Sequence, residues 1–217
     1  MRTWHKLAAL PLALVVGLGT QVQAAPAADV VYSIKTTDKV FFLTIDDGWT
    51  MNRAARQLIL DQHLPVTLFL IGTIWRDPAH QKFFKPLVTA GAEVGNHTFA
   101  HSKLKGLSKA TQAKAICKGR TTIGNKSGVF PTWVRPPYGA YDSKTKIAAG
   151  TCQTSHLVLW NVSAAGKRLS TWGGPMKAGD IVLLHWDNRT DQTLRNILAA
   201  AAKQGLKPAR LSDYLTP

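Results

Sequence analysis

Lys39-Val40-Phe41-Phe42-Leu43-Thr44-Ile45-Asp46-Asp47-Gly48 sets a compact apolar run, Val40 to Leu43, directly before two adjacent acids and a glycine. The run predicts a strand over Lys39–Ile45, ending in a polar turn. Working outward, residues 52 to 63 predict a helix, with Asn52 as its cap and Pro65 as its stop. Val66–Ile71 is a second apolar strand, Asp77–Thr89 a helix closed by Gly91, and Glu93–Asn96 a short strand that delivers His97. Ser108 caps a helix expected to run through Ile123, its exit marked by Gly124, Asn125 and Gly128. Trp133–Arg135 is a brief strand leading into the stiff turn Pro136-Pro137-Tyr138-Gly139. A weak helix over 142–149 follows, then strands at His156–Trp160 and Ile181–Leu184, a helix over Asp191–Gln204, and a last short strand near Leu206–Ala209. Strands alternating with helices imply an α/β domain whose sheet is mostly parallel. Polar clusters fall just after strands, at Asp46, His97, Arg135 and His185; in a barrel those positions share one rim.

The first stretch has Arg2, His5 and Lys6 before an apolar run from Leu7 to Leu18, then small residues at Val22, Ala24 and Ala25. That is the layout of a secretory signal peptide, expected over 1–24, with 25–37 as a linker and 38–217 as the catalytic domain. Removing 1–24 takes away Arg2 and Lys6 and no acid, so the formal charge of +15 becomes +13. A cationic exported protein is drawn to anionic wall polymers, and no zinc-finger spacing or Lys/Arg block points to nucleic acid. Cys117 and Cys152 are the only cysteines; in an oxidising compartment they suit one disulfide, and they are too few for a thiolate metal cluster.

Four segments carry chemistry. His97-Thr98-Phe99-Ala100-His101 puts two imidazoles four apart, which on one helical turn would share a face and hold zinc. Asp46-Asp47 offers a third ligand and a second acid free to take a proton from water, since two adjacent acids at a strand end need compensation. Gly48 gives the turn freedom and room beside the ion. Arg135, held by Pro136-Pro137, is placed to clamp a carboxylate, and the Tyr138 N–H follows two prolines that have none to offer an oxyanion. His185 ends an apolar strand, where a histidine can protonate a leaving group. Trp49, Trp75, Trp160, Trp172 and Trp186 exceed what a core of this size needs, so some are candidates for stacking on sugars.

In this order the segments resemble the NodB-homology polysaccharide deacetylases (carbohydrate esterase family 4), over residues 38 to 212. Thr44-Ile45-Asp46-Asp47-Gly48 is similar to the family's first motif, which implies Asp46 as catalytic base and Asp47 as metal ligand. The His97–His101 segment matches the second and assigns both imidazoles to the metal. Arg135-Pro136-Pro137-Tyr138-Gly139 resembles the third, with the arginine steadying the base and the Tyr138 backbone holding the oxyanion. Leu183-Leu184-His185 resembles the fifth and makes His185 the general acid. The resemblance implies a distorted, incomplete (β/α)7 barrel. It also implies a Zn2+ cofactor, with Co2+ or Mn2+ as alternatives; the leader and the charge point to a secreted or wall-associated protein, expected to be a monomer without a membrane segment once the leader is removed. The expected activity is removal of acetyl groups from an N-acetylated polysaccharide or oligosaccharide such as peptidoglycan or chitin.

One motif departs. After Trp160 the family carries two aspartates before a tryptophan, the second supporting the acid histidine. Here Asn161-Val162-Ser163-Ala164-Ala165-Gly166-Lys167 has no carboxylate. His185 therefore lacks its customary partner or takes Asp180, Asp187 or Asp213 by another route. Two alternatives follow: an O-acetyl esterase on xylan or another glycan, and a non-catalytic glycan-binding homologue.

Overall fold

Residues 25–216 are described in the computed structural model; the leader expected over 1–24 lies outside them. After a short edge strand β1 (Asp29–Val31), the apolar run becomes β2 (Val40–Asp47), which extends through both acids because these still pair with Phe69 and Leu70. Then come α1 (Arg53–Asp61), β3 (Val66–Leu70), α2 (Pro78–Thr89), β4 (Glu93–Asn96), α3 (Lys109–Ser127), β5 (Trp133–Val134), α4 (Ser143–Thr151) and β6 (His156–Val158). The chain continues with β7 (Val162–Ala165), β8 (Arg168–Thr171), β9 (Ile181–His185), α5 (Thr190–Ala202) and β10 (Lys207–Pro208).

The strand order is β1-β6-β5-β4-β3-β2-β9-β7-β8, with β10 on β2; every pairing is parallel except the β7–β8 hairpin. The sheet curls until its far edges meet. Ser33, just past β1, bridges Asp180, just before β9, and the Tyr32 ring lies 5.3 Å from Trp172 beyond β8. The result is an incomplete α/β barrel, as the family resemblance implied, with the mostly parallel sheet that the alternation implied.

Period-two alternation in β2 separates two environments. Phe41, Leu43 and Ile45 face the helices, in a core shared with Leu58, Ile59, Phe84, Leu87, Leu194 and Ile197. Phe42 faces the barrel interior with Phe69, Trp133, Val158 and Ile181, closed below by Leu211 and Leu215. Above Phe42 the same inward row continues with Thr44 and Asp46, both buried. The barrel is thus apolar at its base and polar at its C-terminal rim.

The departures from expectation have local causes. α3 runs past Gly124 and stops only at Gly128, whose φ of 85° supplies the left-handed cap; Gly124 and Asn125 are tolerated inside it. The hairpin was missed because Val-Ser-Ala-Ala and Arg-Leu-Ser-Thr are too weakly apolar to show as strands. β1 lies in the stretch read as a linker. Among the described residues no helix is long and apolar enough to cross a membrane.

Cys117 on α3 and Cys152 at the end of α4 are disulfide-bonded, with a sequence separation of 35. Closing a loop of that length in the unfolded chain is worth about 3–4 kcal/mol on the chain-entropy account. The double variant C117A/C152A is expected to lose about that much stability, read by urea denaturation.

Asp142 caps α4 and also accepts hydrogen bonds from Gly106 N and Gln112 Nε2. Gly106 first, then Gln112, together with Thr145, hold its carboxyl below the ordinary 3.8 despite some opposing desolvation. A group lowered by folding stabilises above its unfolded value and loses that contribution as pH falls through the folded one. D142N should therefore melt below the parent at neutral pH, with the gap narrowing as pH drops under 3.8, followed by circular dichroism across a pH series.

Candidate active site

The rim gathers side chains from the ends of β2, β4, β5 and β9. Asp46 and Asp47 are neighbours in β2 yet have separate duties, because Asp47 takes φ 75° and breaks the alternation that would turn it toward the helices. Gly48, at φ 102°, allows the turn. The space beside it is not left for an ion: a Cβ there would lie 2.4 Å from Ile74 Cδ1 and 2.9 Å from Leu70 Cδ2, so apolar side chains fill it.

Asp46 is 2% exposed and its Oδ1 accepts a 2.7 Å bond from Arg135 Nη1. Arg135 is wholly buried just past β5. Its guanidinium also donates to Val158 O (2.8 Å), Leu159 O (2.9 Å) and Thr44 Oγ1 (2.8 Å), and lies 4.3 Å over the Phe69 ring. Burial pulls its pKa down and Asp46 pulls it back; with every bond to an acceptor it remains a cation. Its carbonyl has a second task, accepting from His97 Nδ1 at 2.8 Å. A carbonyl cannot donate, so Nδ1 carries the proton and Nε2 carries a lone pair.

That lone pair faces Asp47 Oδ1 at 3.4 Å, and His101 Nε2 faces the same oxygen at 3.4 Å. Asp47 Oδ1 is buried with no hydrogen-bond partner, and the three ligand atoms lie within 4.8 Å of one another. Acceptors turned toward each other without a proton between them repel unless a cation joins them. Ligand atoms on a tetrahedral zinc with bonds of about 2.0–2.1 Å stand about 3.3–3.4 Å apart, so the residues fit such an ion. Burial pushes the Asp47 carboxyl up, but the neighbouring imidazoles of His97, His185 and His101 outweigh it and leave it below the ordinary carboxylate value. Desolvation, then His97, keeps the His101 imidazole below its usual value, which leaves it free to ligate.

The two histidines do not share a helical turn, contrary to the sequence reading. They converge through a tight turn with φ 65° at Thr98 and 56° at His101. The turn is pinned from three sides: Thr98 N donates to Asn96 Oδ1, Phe99 N to Ala115 O on α3, and Gly72 N to Thr98 O. It can press this close to α3 because Gly119 has no side chain. A Cβ there would lie 2.5 Å from Asn96 Oδ1 and 2.8 Å from Thr98 C.

Tyr138 has φ 62°, and among the described residues its N–H, which follows two prolines, donates to no protein acceptor. Its side chain is 69% exposed and Trp49 is 56% exposed; the two rings flank His101 edge-on, with centroids at 4.8 Å and 5.1 Å. Trp75 and Trp186 are core residues and Trp160 packs by Arg135, so of the five tryptophans Trp49 and Trp172 stand in solvent.

His185 is exposed and pairs with Asp46 across β2 and β9. Among the described residues no carboxylate is hydrogen-bonded to its ring. Asp180 is held by Asn161 Nδ2 (2.7 Å) and Lys177 N (2.8 Å), and Asp187 caps Arg189 N (2.7 Å). Asp213 lies in a short turn after β10 and makes no such bond either. The substitute routes are thus not used. Thr44, Asn96 and Gly119 were missed as site residues. Thr44 could have been found as a polar residue two before Asp46, on the same strand face.

The polysaccharide deacetylase family model matches residues 33–154. An uncharacterised protein of Streptomyces coelicolor is 36% identical over 97% of this chain and 88% of its own length. A peptidoglycan-N-acetylglucosamine deacetylase of Bacillus cereus is 29% identical over 88% of this chain and 94% of that protein. Other curated relatives are longer, and the chain spans 27% and 34% of two of them. Among solved structures, a CE4 family pseudoenzyme from Bacillus anthracis superposes with TM-score 0.73 at 22% identity, over 87% of this chain and 69% of that one.

G119A is expected to push the His97–His101 turn outward, weaken zinc binding about tenfold and cost about 1–3 kcal/mol. Calorimetric zinc titration and thermal melting read the two effects separately.

Proposed function

The chain belongs to the polysaccharide deacetylase family, and from that premise we propose that it hydrolyses acetyl groups from N-acetylated wall glycan, using Asp47, His97 and His101 to hold zinc. The observation that carries this reading is the unpartnered Asp47 Oδ1 between two imidazole nitrogens, with a second acid beside it. A divalent cation bound there supplies Lewis acidity to the acetyl carbonyl and makes a bound water easier to deprotonate.

The chain's own residues account for the proton transfers. Asp46 has one oxygen committed to Arg135; the other, Oδ2, stands 3.7 Å from His97 Nε2 and so adjoins the triad, where it is placed to take a proton from water. The water oxygen then bonds to the acetyl carbon. The Tyr138 N–H is available to the negative charge that gathers on the acetyl oxygen. His185, one strand from Asp46, gives a proton to the departing sugar nitrogen as the C–N bond breaks, so acetate and a free amine leave. Trp49 and Tyr138 form apolar walls on either side of His101 that suit the faces of a sugar. The formal charge of +13 that remains without residues 1–24 supports an anionic wall as the working surface, outside the cell.

A second reading, glycan binding without turnover, is favoured by one observation: the ring of His185 has no carboxylate behind it. Acetate release from N-acetylated and O-acetylated glycans, with and without zinc, decides between the readings. Removing metal with a chelator should abolish release, and zinc should restore it. D47N is expected to lose both zinc binding and activity. D46N should keep zinc while kcat falls about 10²–10⁴-fold, checked by zinc titration beside acetate assay. Binding of glycan with no acetate from any of them would leave the second reading.

A further inference from the structure

The β7–β8 hairpin stands where the family's carboxylates are missing, and its side chains are ordered by strand register. Asp46 pairs with His185, Thr44 and Ser163 both pair with Leu183, Ser163 pairs with Ser170, and Ala165 pairs with Arg168. Two residues beyond the Ser163–Leu183 pair, Ala165 falls level with His185. Period-two alternation therefore sets Asp46, His185, Ala165 and Arg168 in one row across four strands, on the barrel-facing side. At about 4.8 Å per strand, Arg168 starts about 14 Å along the rim from Asp46, beyond the acid histidine.

His185, Leu183, Ser163, Ala165, Arg168 and Ser170 line a cavity of about 220 Å³. Small side chains leave it open, and no acidic residue lines it. The guanidinium of Arg168 makes no ion pair or hydrogen bond among the described residues, and neither serine hydroxyl is engaged there. A guanidinium, two hydroxyls and an imidazole around one space, without a carboxylate, is a donor set that suits an anion.

We propose that this cavity receives an anionic substituent of the glycan, a carboxylate or phosphate on the sugar losing its acetyl group or on its neighbour, with Arg168 as the specificity-determining residue. The inference rests on the deacetylase reading and extends it by naming the charge of the preferred substrate. A loop that elsewhere supports the acid histidine serves here as a substrate contact.

The test uses the zinc-loaded full chain and three N-acetylated oligosaccharides of equal length: one neutral, one bearing ether-linked carboxylates, one bearing phosphate esters. The parent is expected to favour a charged substrate, and R168Q to lower the charged-to-neutral ratio of kcat/KM about tenfold, the worth of a charge-assisted contact. R168K should recover part of the ratio, because it restores the charge without the fork. The arm that falls identifies the anion. An unchanged ratio in R168Q, or an equal loss on all three substrates, overturns the proposal. If the parent releases acetate from none of them, the deacetylase reading fails, and calorimetric binding of the same oligosaccharides decides the inference. Weaker binding of a charged oligosaccharide to R168Q than to the parent upholds it; equal binding sinks it.

Discussion

The ion pair between Arg135 and Asp46 is the constraint on which the rim depends. Both groups are removed from water, and a buried pair survives only when its remaining hydrogen-bonding capacity is met. Here it is met by the strands themselves: the guanidinium donates to Val158 O and Leu159 O at the end of β6 and to Thr44 Oγ1 on β2, and stacks on Phe69 from β3. The same residue's carbonyl fixes the His97 tautomer. One arginine thus orients the acid on β2 and a metal ligand after β4. Losing the guanidinium would leave a carboxylate buried alone, a situation that typically costs about 3–5 kcal/mol, before any effect on chemistry.

Backbone strain is concentrated at the same place. Among the described residues six non-glycine positions have positive φ, and Asp47, Thr98, His101 and Tyr138 are all at the rim. For side chains of this kind the left-handed region is unfavourable, so the surrounding bonds must impose it. Each case has an evident use. Asp47 leaves the helix-facing side of β2, Thr98 and His101 fold the second imidazole back toward the first, and Tyr138 leaves an N–H uncommitted. The helices, the disulfide and the apolar floor hold the frame in which those four residues can stay strained.

The alternation of apolar strands with helices, and their order, was legible because parallel strands buried on both faces show as plain apolar runs. Asp46, Asp47, His97, His101 and Arg135 were legible as well, since each is a polar residue at the end of such a run. The route by which His97 and His101 meet was not. A spacing of four suits a helical turn, and nothing local announces that Gly119, some twenty residues on, clears the space for a strained turn instead. The β7–β8 hairpin was illegible for a different reason: Ser163, Ala164, Ala165 and Ser170 carry too little apolar surface to mark strands, and their pairing with β9 is a tertiary fact. Nor does the sequence show that Asp180 is held by Asn161, the residue standing where the carboxylate-bearing motif begins.

These features combine into a gradient of charge along the rim. Asp46 is neutralised by Arg135, so this acid adds little net field. Asp47 alone would leave a divalent cation held there with net positive charge, the sign that stabilises charge gathering on an acetyl oxygen. Beyond His185 the next charge in the row is Arg168, again positive, where an acid would have opposed it. In a chain whose formal charge without residues 1–24 is +13, this arrangement strengthens the positive field at the mouth of the barrel. The missing carboxylates are therefore more than a loss behind the histidine, because without them Arg168 stands unopposed on that side of the rim.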